Sequence, residues 1–157
     1  MHKNSQKVQF LFLVAVFMTF LPTASGWAVQ DIILSKWQTV YVPIYSHIYT
    51  GPKRFKLDLT GILSVRNTDP RNPITIVAAD YYDSEGNLVR HYLTEPIELK
   101  AMASTRYIIE VTDKKGGSGA NFIVRWTSKK EVNAPLIESV MIGTRFSFVS
   151  RGQVIRE

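Results

Sequence analysis

Three acidic residues lie close together near the middle of the chain, at Asp80, Asp83 and Glu85. Neighbouring carboxylates can serve as general acid and base in a hydrolase. Asp83 and Glu85, however, belong to a run that ends in Gly86-Asn87 and predicts a hairpin turn, where acidic residues are routine. Asp80 is therefore the acid of most interest.

Asp80 follows Ile74, Ile76 and Ala78 at intervals of two, so an uninterrupted strand places it on their face. If that face is buried, the carboxylate needs a partner such as an arginine or a tyrosine hydroxyl, because an unpaired buried charge is costly. We interpret Asp80 as a hydrogen-bonded structural residue and as a candidate ligand contact.

Histidine and cysteine spacing excludes the common metal motifs. The chain has no cysteine, and His47 and His91 are 44 residues apart, so no zinc-binding spacing exists. Neither a P-loop nor a dinucleotide-binding glycine pattern is present. A hydrolase would need a pocket that gathers Asp80 or Glu138 with one of these histidines. We predict no catalytic residue, no metal and no cofactor.

A glycine-rich run, Gly116-Gly117-Ser118-Gly119-Ala120, matches the serine elbow G-x-S-x-G up to its last residue. An elbow needs a helix after the serine, whereas Asn121 to Trp126 alternates like a strand, so Ser118 is not predicted to be a nucleophile. Consecutive glycines can let backbone amides converge on an anion, here beside two lysines. The alternative is a hairpin connection whose glycines only permit positive φ. The candidate contacts in this loop are Lys114, Lys115, Gly116, Gly117, Ser118, Gly119 and Asn121.

Two further sets of side chains are candidate contacts. Arg125 and Trp126 point to opposite faces of their strand, and alternation places Trp126 inside, which leaves Arg125 accessible. Tyr41, Tyr45 and Tyr49 recur every four residues and share a face if their strand is uninterrupted. Tyrosines make good contact surfaces, but they also line ordinary sheet walls.

Alternation of apolar and polar residues dominates after Trp37 and predicts β-strands. From Phe55 to Asn67 the apolar residues fall on one face together with Gly61, and Ile62 is the one apolar residue on the other face. Gly61 indicates a bulge or a close neighbouring strand. Pro43 removes a backbone donor, so the strand from Thr39 to Tyr49 is predicted to lie at an edge or to bend at a bulge.

About eight short strands follow one another, with turns every eight to twelve residues and no convincing long helix. This pattern predicts an all-β fold, a single antiparallel β-sandwich of immunoglobulin-like type over residues 29–157. The predicted strands include Ile74 to Tyr82, Ile97 to Leu99 and Leu136 to Ile142, although a short helix would also fit the last of these segments.

Residues 1–28 are predicted to be a secretory signal peptide. Lys3 and Lys7 supply a positive start, an apolar run from Phe10 to Leu21 follows, and small residues end the segment. Twelve helical residues span roughly 18 Å, short of the ~30 Å hydrocarbon core, so no stable membrane span is expected after cleavage. Cleavage fits after Gly26 or Ala28, and the alternative is a retained anchor or a buried helix.

Composition limits the compartment and the partners. Without cysteine the chain forms no disulfide and has no site for lipid attachment to an N-terminal cysteine, so we predict a periplasmic or secreted protein. The formal charge of +6 at pH 7 falls to about +4 when Lys3 and Lys7 are removed with the signal. This mild excess suits an envelope protein or an anionic envelope polymer as partner. Nucleic acid is not predicted, because no recognition motif is present.

Four runs of residues are specific enough to indicate a family. They are YVPIYSHIY at 41–49, LSVRNTD at 63–69, GGSGANF at 116–122 and FVSRGQVI at 148–155. Together they resemble an exported bacterial family known as domain of unknown function 3124, from Thr39 to Ile155. The resemblance implies a signal-bearing, single-domain bacterial protein, and it brings no activity, ligand or catalytic residue.

We therefore predict a non-catalytic binding or structural module of the bacterial cell envelope. The alternative is a small periplasmic hydrolase or carbohydrate-binding protein that uses Asp80, nearby tyrosines and the glycine loop. A hydrolase needs a deep pocket, whereas a binding module needs only a shallow surface such as a strand edge or an aromatic patch.

Overall fold

The computed structural model describes residues 34–156, and the predicted signal peptide lies outside the described residues. The described chain is all-β and contains no helix, which confirms the predicted class. Its strands are β1 (Leu34–Pro43), β2 (His47–Thr50), β3 (Phe55–Asp58), β4 (Thr60–Arg66), β5 (Ile74–Tyr82), β6 (Leu88–His91), β7 (Ile97–Leu99), β8 (Ser104–Ile109), β9 (Asn121–Asn133), β10 (Leu136–Ile142), β11 (Ser147–Arg151) and β12 (Gln153–Ile155). Within this range, no helix has the length and apolar character that a membrane crossing requires.

All strand pairs among residues 34–156 are antiparallel, and they form three sheets. The six-stranded sheet has the order β12-β1-β9-β5-β6, and β7 also pairs with β5. The four-stranded sheet has the order β11-β10-β4-β8. β2 and β3 pair with each other as a separate hairpin.

Apolar side chains from the two larger sheets form one buried cluster. The six-stranded sheet contributes Trp126, Phe122 and Tyr81, and the four-stranded sheet contributes Leu63 and Met141. None of these five side chains is more than 1% exposed. Burial of one such side chain contributes roughly 1.5–3 kcal/mol, so the shared cluster is the main source of stability.

β9 shows how the sequence pattern produces this core. Phe122, Val124 and Trp126 are buried, whereas the alternate residues Ile123 and Arg125 are half-buried on the opposite face. The predicted orientations of Trp126 and Arg125 are confirmed.

Two predicted strands are divided in the structure, which therefore has more strands than expected. The segment from Thr39 to Tyr49 breaks after Pro43, and the segment from Phe55 to Asn67 breaks at Leu59. The backbone N–H of Leu59 donates to the Ser46 carbonyl (3.0 Å), and there the chain leaves the β2–β3 hairpin for the four-stranded sheet. Alternation runs through Leu59 without interruption, so the pattern alone could not show the break.

β1 lies between β12 and β9, so the predicted edge position was wrong, and the strand ends at Pro43 instead of bending there at a bulge. The next backbone N–H, of Ile44, donates to Ala120 beside β9 (3.0 Å), so the nitrogen of Pro43 faces the opposite side. On that side the pairing with β12 has already ended at Tyr41. The sheet therefore loses no backbone hydrogen bond through the missing N–H of Pro43.

A polar centre holds the loop that follows β4. Asp69 Oδ1 accepts the backbone N–H groups of Arg71 (2.9 Å) and Asn72 (2.8 Å), and Oδ2 accepts that of Asn133 (3.2 Å). The side-chain amide of Asn67 donates to the Asn72 carbonyl (2.9 Å). The donors from Arg71 and Asn72 lower the pKa of Asp69. The loop is thereby tied to the end of β9.

Truncation of a core side chain should test the shared cluster. Leu63→Ala is expected to lower the free energy of unfolding by about 2–5 kcal/mol, because it removes apolar area and leaves a cavity. The matched control, Leu88→Ala, truncates a leucine that is 45% exposed and should change stability by no more than about 0.5 kcal/mol. Urea unfolding measures both, and equal effects would contradict this account of the core.

The Asp69→Asn variant should show a pH-dependent loss of stability. Because the pKa of Asp69 is lowered in the fold, its carboxylate contributes stability that is fully present above the unfolded-state pKa of about 3.9. This contribution disappears as the pH falls through the lower folded-state pKa. The variant should be less stable than the wild type at pH 7, and the difference should shrink below about pH 4. Urea unfolding at several pH values checks this, with Glu85→Gln as an exposed control. A difference that is constant with pH would count against the role of the charge.

Candidate functional site

The glycine loop, residues 114–121, is held by two serines from other segments. The Gly116 carbonyl accepts the backbone N–H and the hydroxyl of Ser84 (2.9 and 3.0 Å). The Gly117 carbonyl accepts the same two groups of Ser46 (both 3.0 Å). Gly119 donates its N–H to the Ser84 hydroxyl (2.9 Å). These backbone groups are therefore bonded within the protein, and the predicted anion site in this loop stays a prediction.

Gly116 is required because the ring of Tyr81 lies against it. A Cβ atom at position 116 would lie 1.8 Å from Tyr81 Oη and 2.6 Å from Cζ. Burial raises the pKa of the Tyr81 hydroxyl. The ring stacks on Phe122 with a centroid distance of 5.2 Å, so it cannot retreat without disturbing the core.

The remaining predicted residues of the loop have different surroundings. Lys114 forms an ion pair with Asp58 of β3, and its hydrogen bond lowers the pKa of that carboxyl. Lys115 and Ser118 are exposed, and Asn121 is the first residue of β9. Of the two lysines predicted to face an anion, Lys114 is thus bound to the hairpin.

Asp80 lies between two cationic or protonatable side chains on the face of the six-stranded sheet that points away from the core. Its Oδ1 accepts a hydrogen bond from His91 Nδ1 (2.7 Å), and its Oδ2 accepts one from Arg125 Nη1 (3.1 Å). The Asp80 side chain is 12% exposed and that of His91 is 64% exposed. Of the two partners expected for a buried Asp80, an arginine or a tyrosine hydroxyl, the structure shows an arginine.

The predicted face of Asp80 was wrong, because β5 contains a β-bulge. The register with β9 shifts between Ile76 and Ala78, and Val77 is 41% exposed. A bulge inserts one residue and inverts the alternation beyond it. Tyr81 therefore continues the buried face begun by Ile76, and Asp80 points outward.

The acids and histidines proposed for a hydrolase meet only in part. Asp80 contacts His91, which resembles the orienting half of a catalytic triad. His47 instead lies at the base of the β2–β3 hairpin, where burial lowers its pKa, and Glu138 lies in the four-stranded sheet. Among residues 34–156, no group of three or more histidine and acidic side chains is placed to hold a metal ion.

The three tyrosines do not form one ladder, because their strand is interrupted. Tyr41 is half-buried in β1, and Tyr45 lies after β1 with its ring 6.0 Å from that of Phe148. Tyr49 is exposed in β2, and its hydroxyl is hydrogen-bonded to His47 Nε2 (3.2 Å).

The outward surface of the four-stranded sheet is a site that the sequence analysis missed. The strand register places two rows of side chains across it. One row is Arg151, Glu138, Ser64 and Arg106, and Arg66 lies two residues beyond Ser64. The other row is Val149, Val140, Ile62 and Ile108. We call this surface the arginine face, made up of Ile62, Ser64, Arg66, Arg106, Ile108, Glu138, Val140, Val149 and Arg151.

The arginine face is open and cationic. A shallow depression of about 550 Å³ lies over it and is lined by Arg66, Arg106 and their neighbours. Arg66 Nε donates to the Ser64 hydroxyl (3.2 Å). Within the described part of the chain, Arg66, Arg106 and Arg151 form no ion pair within 4.0 Å. Their guanidinium charges are therefore available to an anionic partner.

Apolar residues beside these arginines are exposed to solvent. Val149 is 55% exposed and Ile108 is 43% exposed. The sequence held a signal for this surface, since Ile62 and Ile108 interrupt the polar faces of their strands. Only the register shows that the two residues are neighbours.

These observations define an all-β protein of antiparallel sheets with an open cationic face. The family model "Protein of unknown function (DUF3124)" matches residues 37–155, and the chain belongs to this family. The resemblance found in the four sequence runs is confirmed.

Other comparisons add little. No curated protein is significantly similar to the chain. The crystal structure of Thermotoga maritima 1070 is similar at 11% sequence identity with a TM-score of 0.39, over 74% of this chain and 90% of that chain. A TM-score this low does not establish a shared fold.

Adding a side chain at Gly116 should destabilise the protein. Gly116→Ala is expected to cost about 1–3 kcal/mol, because the new Cβ would overlap the Tyr81 hydroxyl. Tyr81→Phe in the same chain should recover part of the loss, because it removes the nearest atom. Ser118→Ala, at an exposed residue of the same loop, is the control, since it adds no atom and should change stability by no more than about 0.5 kcal/mol. Thermal unfolding followed by circular dichroism measures all four proteins, and no loss in Gly116→Ala would refute the packing described.

Proposed function

We propose that this protein is an exported, non-catalytic binding module of the bacterial cell envelope that binds an anionic envelope polymer on its arginine face. The observation that carries the proposal is the register that gathers Arg66, Arg106 and Arg151 on one open surface without ion-pair partners in the described chain. Guanidinium groups bind carboxylate and phosphate with paired hydrogen bonds.

The proposal includes the finer features of fold and compartment. A single antiparallel β-sandwich of immunoglobulin-like type is supported by the two sheets that share one buried cluster. Export to the periplasm or medium is supported by the charged, apolar and small-residue order of residues 1–28.

The dimensions of the arginine face favour a polymer over a folded protein. Strands lie about 4.8 Å apart, so the row from Arg151 to Arg106 spans roughly 14 Å. A surface of four short strands covers a few hundred Å², below the roughly 800 Å² that each partner contributes to a standard protein interface. A flexible chain that carries repeated anions can reach all three arginines, and its uncharged groups can pack on the apolar row.

The Asp80 cluster supports a hydrolase less well than the arginine face supports a binding module. Both carboxylate oxygens of Asp80 are engaged, one by His91 and one by Arg125. The cluster stands on a sheet face, and the side chain of His91 is 64% exposed. A bonded carboxylate that orients its neighbours fits a structural role.

Binding of the full chain to polyphosphate and to polyglutamate, measured by fluorescence anisotropy, tests the proposal. Arg66→Gln with Arg106→Gln should weaken binding about tenfold, since each exposed pairing is worth up to about 1 kcal/mol. Lys129→Gln with Lys130→Gln removes the same charge from exposed residues at the far part of β9 and should change binding less than twofold.

Salt provides a second check on the same complex. Binding should weaken markedly between about 50 and 200 mM salt, because exposed charges are screened within a Debye length of about 10 Å. Equal binding by both double variants, or no binding of either polymer at low salt, would refute the proposed function.

A further inference from the structure

The β2–β3 hairpin has an exposed end that the proposed function does not use. β2 and β3 pair with each other and with no strand of the two larger sheets in the described chain. Tyr49 is 56% exposed and Phe55 is 61% exposed. Pro52, Lys53 and Arg54 lie in the exposed turn between them.

Charge at this end is entirely positive. Residues 48–57 contain Lys53, Arg54 and Lys56 and no acidic residue. The acid nearest in sequence, Asp58, lies at the base of the hairpin, 3.8 Å from Lys56, and its other oxygen binds Lys114. The hairpin end therefore carries the cations Lys53 and Arg54 beside two exposed aromatic rings, and Lys56 pairs with Asp58 nearer the base.

The hairpin is firmly attached at its base. Asp58 pairs with Lys114, and the Leu59 backbone bonds to Ser46. At the end, the N–H of Arg54 donates to the Gly51 carbonyl (3.0 Å), and these two residues have positive φ of 51° and 69°. The turn has a defined shape, so the exposed side chains are presented together.

The two aromatic rings lie on opposite faces of the hairpin. Phe55 is opposite Thr50 and Tyr49 is opposite Lys56 in the register, and adjacent cross-strand pairs alternate between faces. One rigid protein surface could cover only one of these faces. A fluid layer of lipid headgroups can surround both, and aromatic and cationic residues are enriched at that depth.

We propose that the end of the β2–β3 hairpin docks on an anionic lipid bilayer, with Tyr49 and Phe55 among the headgroups and with Lys53 and Arg54 at lipid phosphates. Charge complementarity supports this partner, since anionic leaflets attract clusters of lysine and arginine. The inference is independent of the arginine face, which lies on another sheet.

Sedimentation of the full chain with lipid vesicles tests the docking. Vesicles of phosphatidylcholine with one quarter phosphatidylglycerol are compared with vesicles of phosphatidylcholine alone at low salt. Lys53→Gln with Arg54→Gln should weaken binding to the anionic vesicles about 25-fold, which is about fivefold for each cation. The charge-matched control, Lys129→Gln with Lys130→Gln, should bind within twofold of the wild type.

A fluorescent probe in the hairpin distinguishes vesicle binding by the hairpin from binding by the apolar run Phe10 to Leu21, which every variant retains. The emission that Phe55→Trp adds to that of the three native tryptophans, measured as the difference from the wild type, should shift to the blue on anionic vesicles and be quenched by brominated lipid. The emission added by Leu88→Trp, on an exposed residue of β6, should do neither.

Three outcomes would overturn the inference. The first is equal binding by the two double-glutamine variants. The second is an unquenched tryptophan at position 55. The third is weaker polyphosphate binding but unchanged vesicle binding for Lys53→Gln with Arg54→Gln, which would assign the hairpin to the polymer instead of the lipid.

Discussion

The fold depends on burying the apolar faces of two sheets in one cluster. Without cysteine, the chain has no covalent link to assist this association. Trp126 and Leu63 are at most 1% exposed within the cluster although they belong to different sheets. Because successive side chains of a strand point to opposite faces, the residues that must be buried determine which of their neighbours face outward. The outward residues are those left for contact with partners.

The two outward faces use their charges differently. On the six-stranded sheet, Asp80 is bonded by Arg125 and His91, so the carboxylate is satisfied within the protein. On the four-stranded sheet, Glu138 lies opposite Arg151 in the register, yet no ion pair forms between them. Charge that is satisfied internally stabilises a fold, whereas charge left open favours an external partner. The arginine face is therefore the surface better suited to an anionic partner.

Local patterns predicted those strands whose limits are marked by breaking residues. β5 begins after Pro73 and ends before the Asp83 turn, and its predicted limits agree with the structure. Gly61 was expected to meet a bulge or a close neighbouring strand, and a Cβ there would lie 2.8 Å from the side chain of Ile44, which directly follows β1. In both cases a single proline or glycine carries the signal, so it can be recognised without knowing how the chain folds.

The sequence could not show features that depend on distant segments. No glycine or proline marks the bulge at Val77, so the inverted face of Asp80 was not predictable. The arginine face forms only when four strands pair in the observed register. The sequence indicates the individual strands but not how they pair. Likewise, the hairpin end was hidden, because Phe55 continues the apolar alternation of the following strand without a break.

The serine bonds of the glycine loop have a consequence for how the chain folds. Ser46 and Gly117 are 71 residues apart, and Ser84 and Gly116 are 32 apart. Such junctions form only after large chain loops have closed, and closure of this kind slows folding. The loop can therefore become ordered only after the segments around Ser46 and Ser84 have reached it, so its order depends on the assembly of the whole domain.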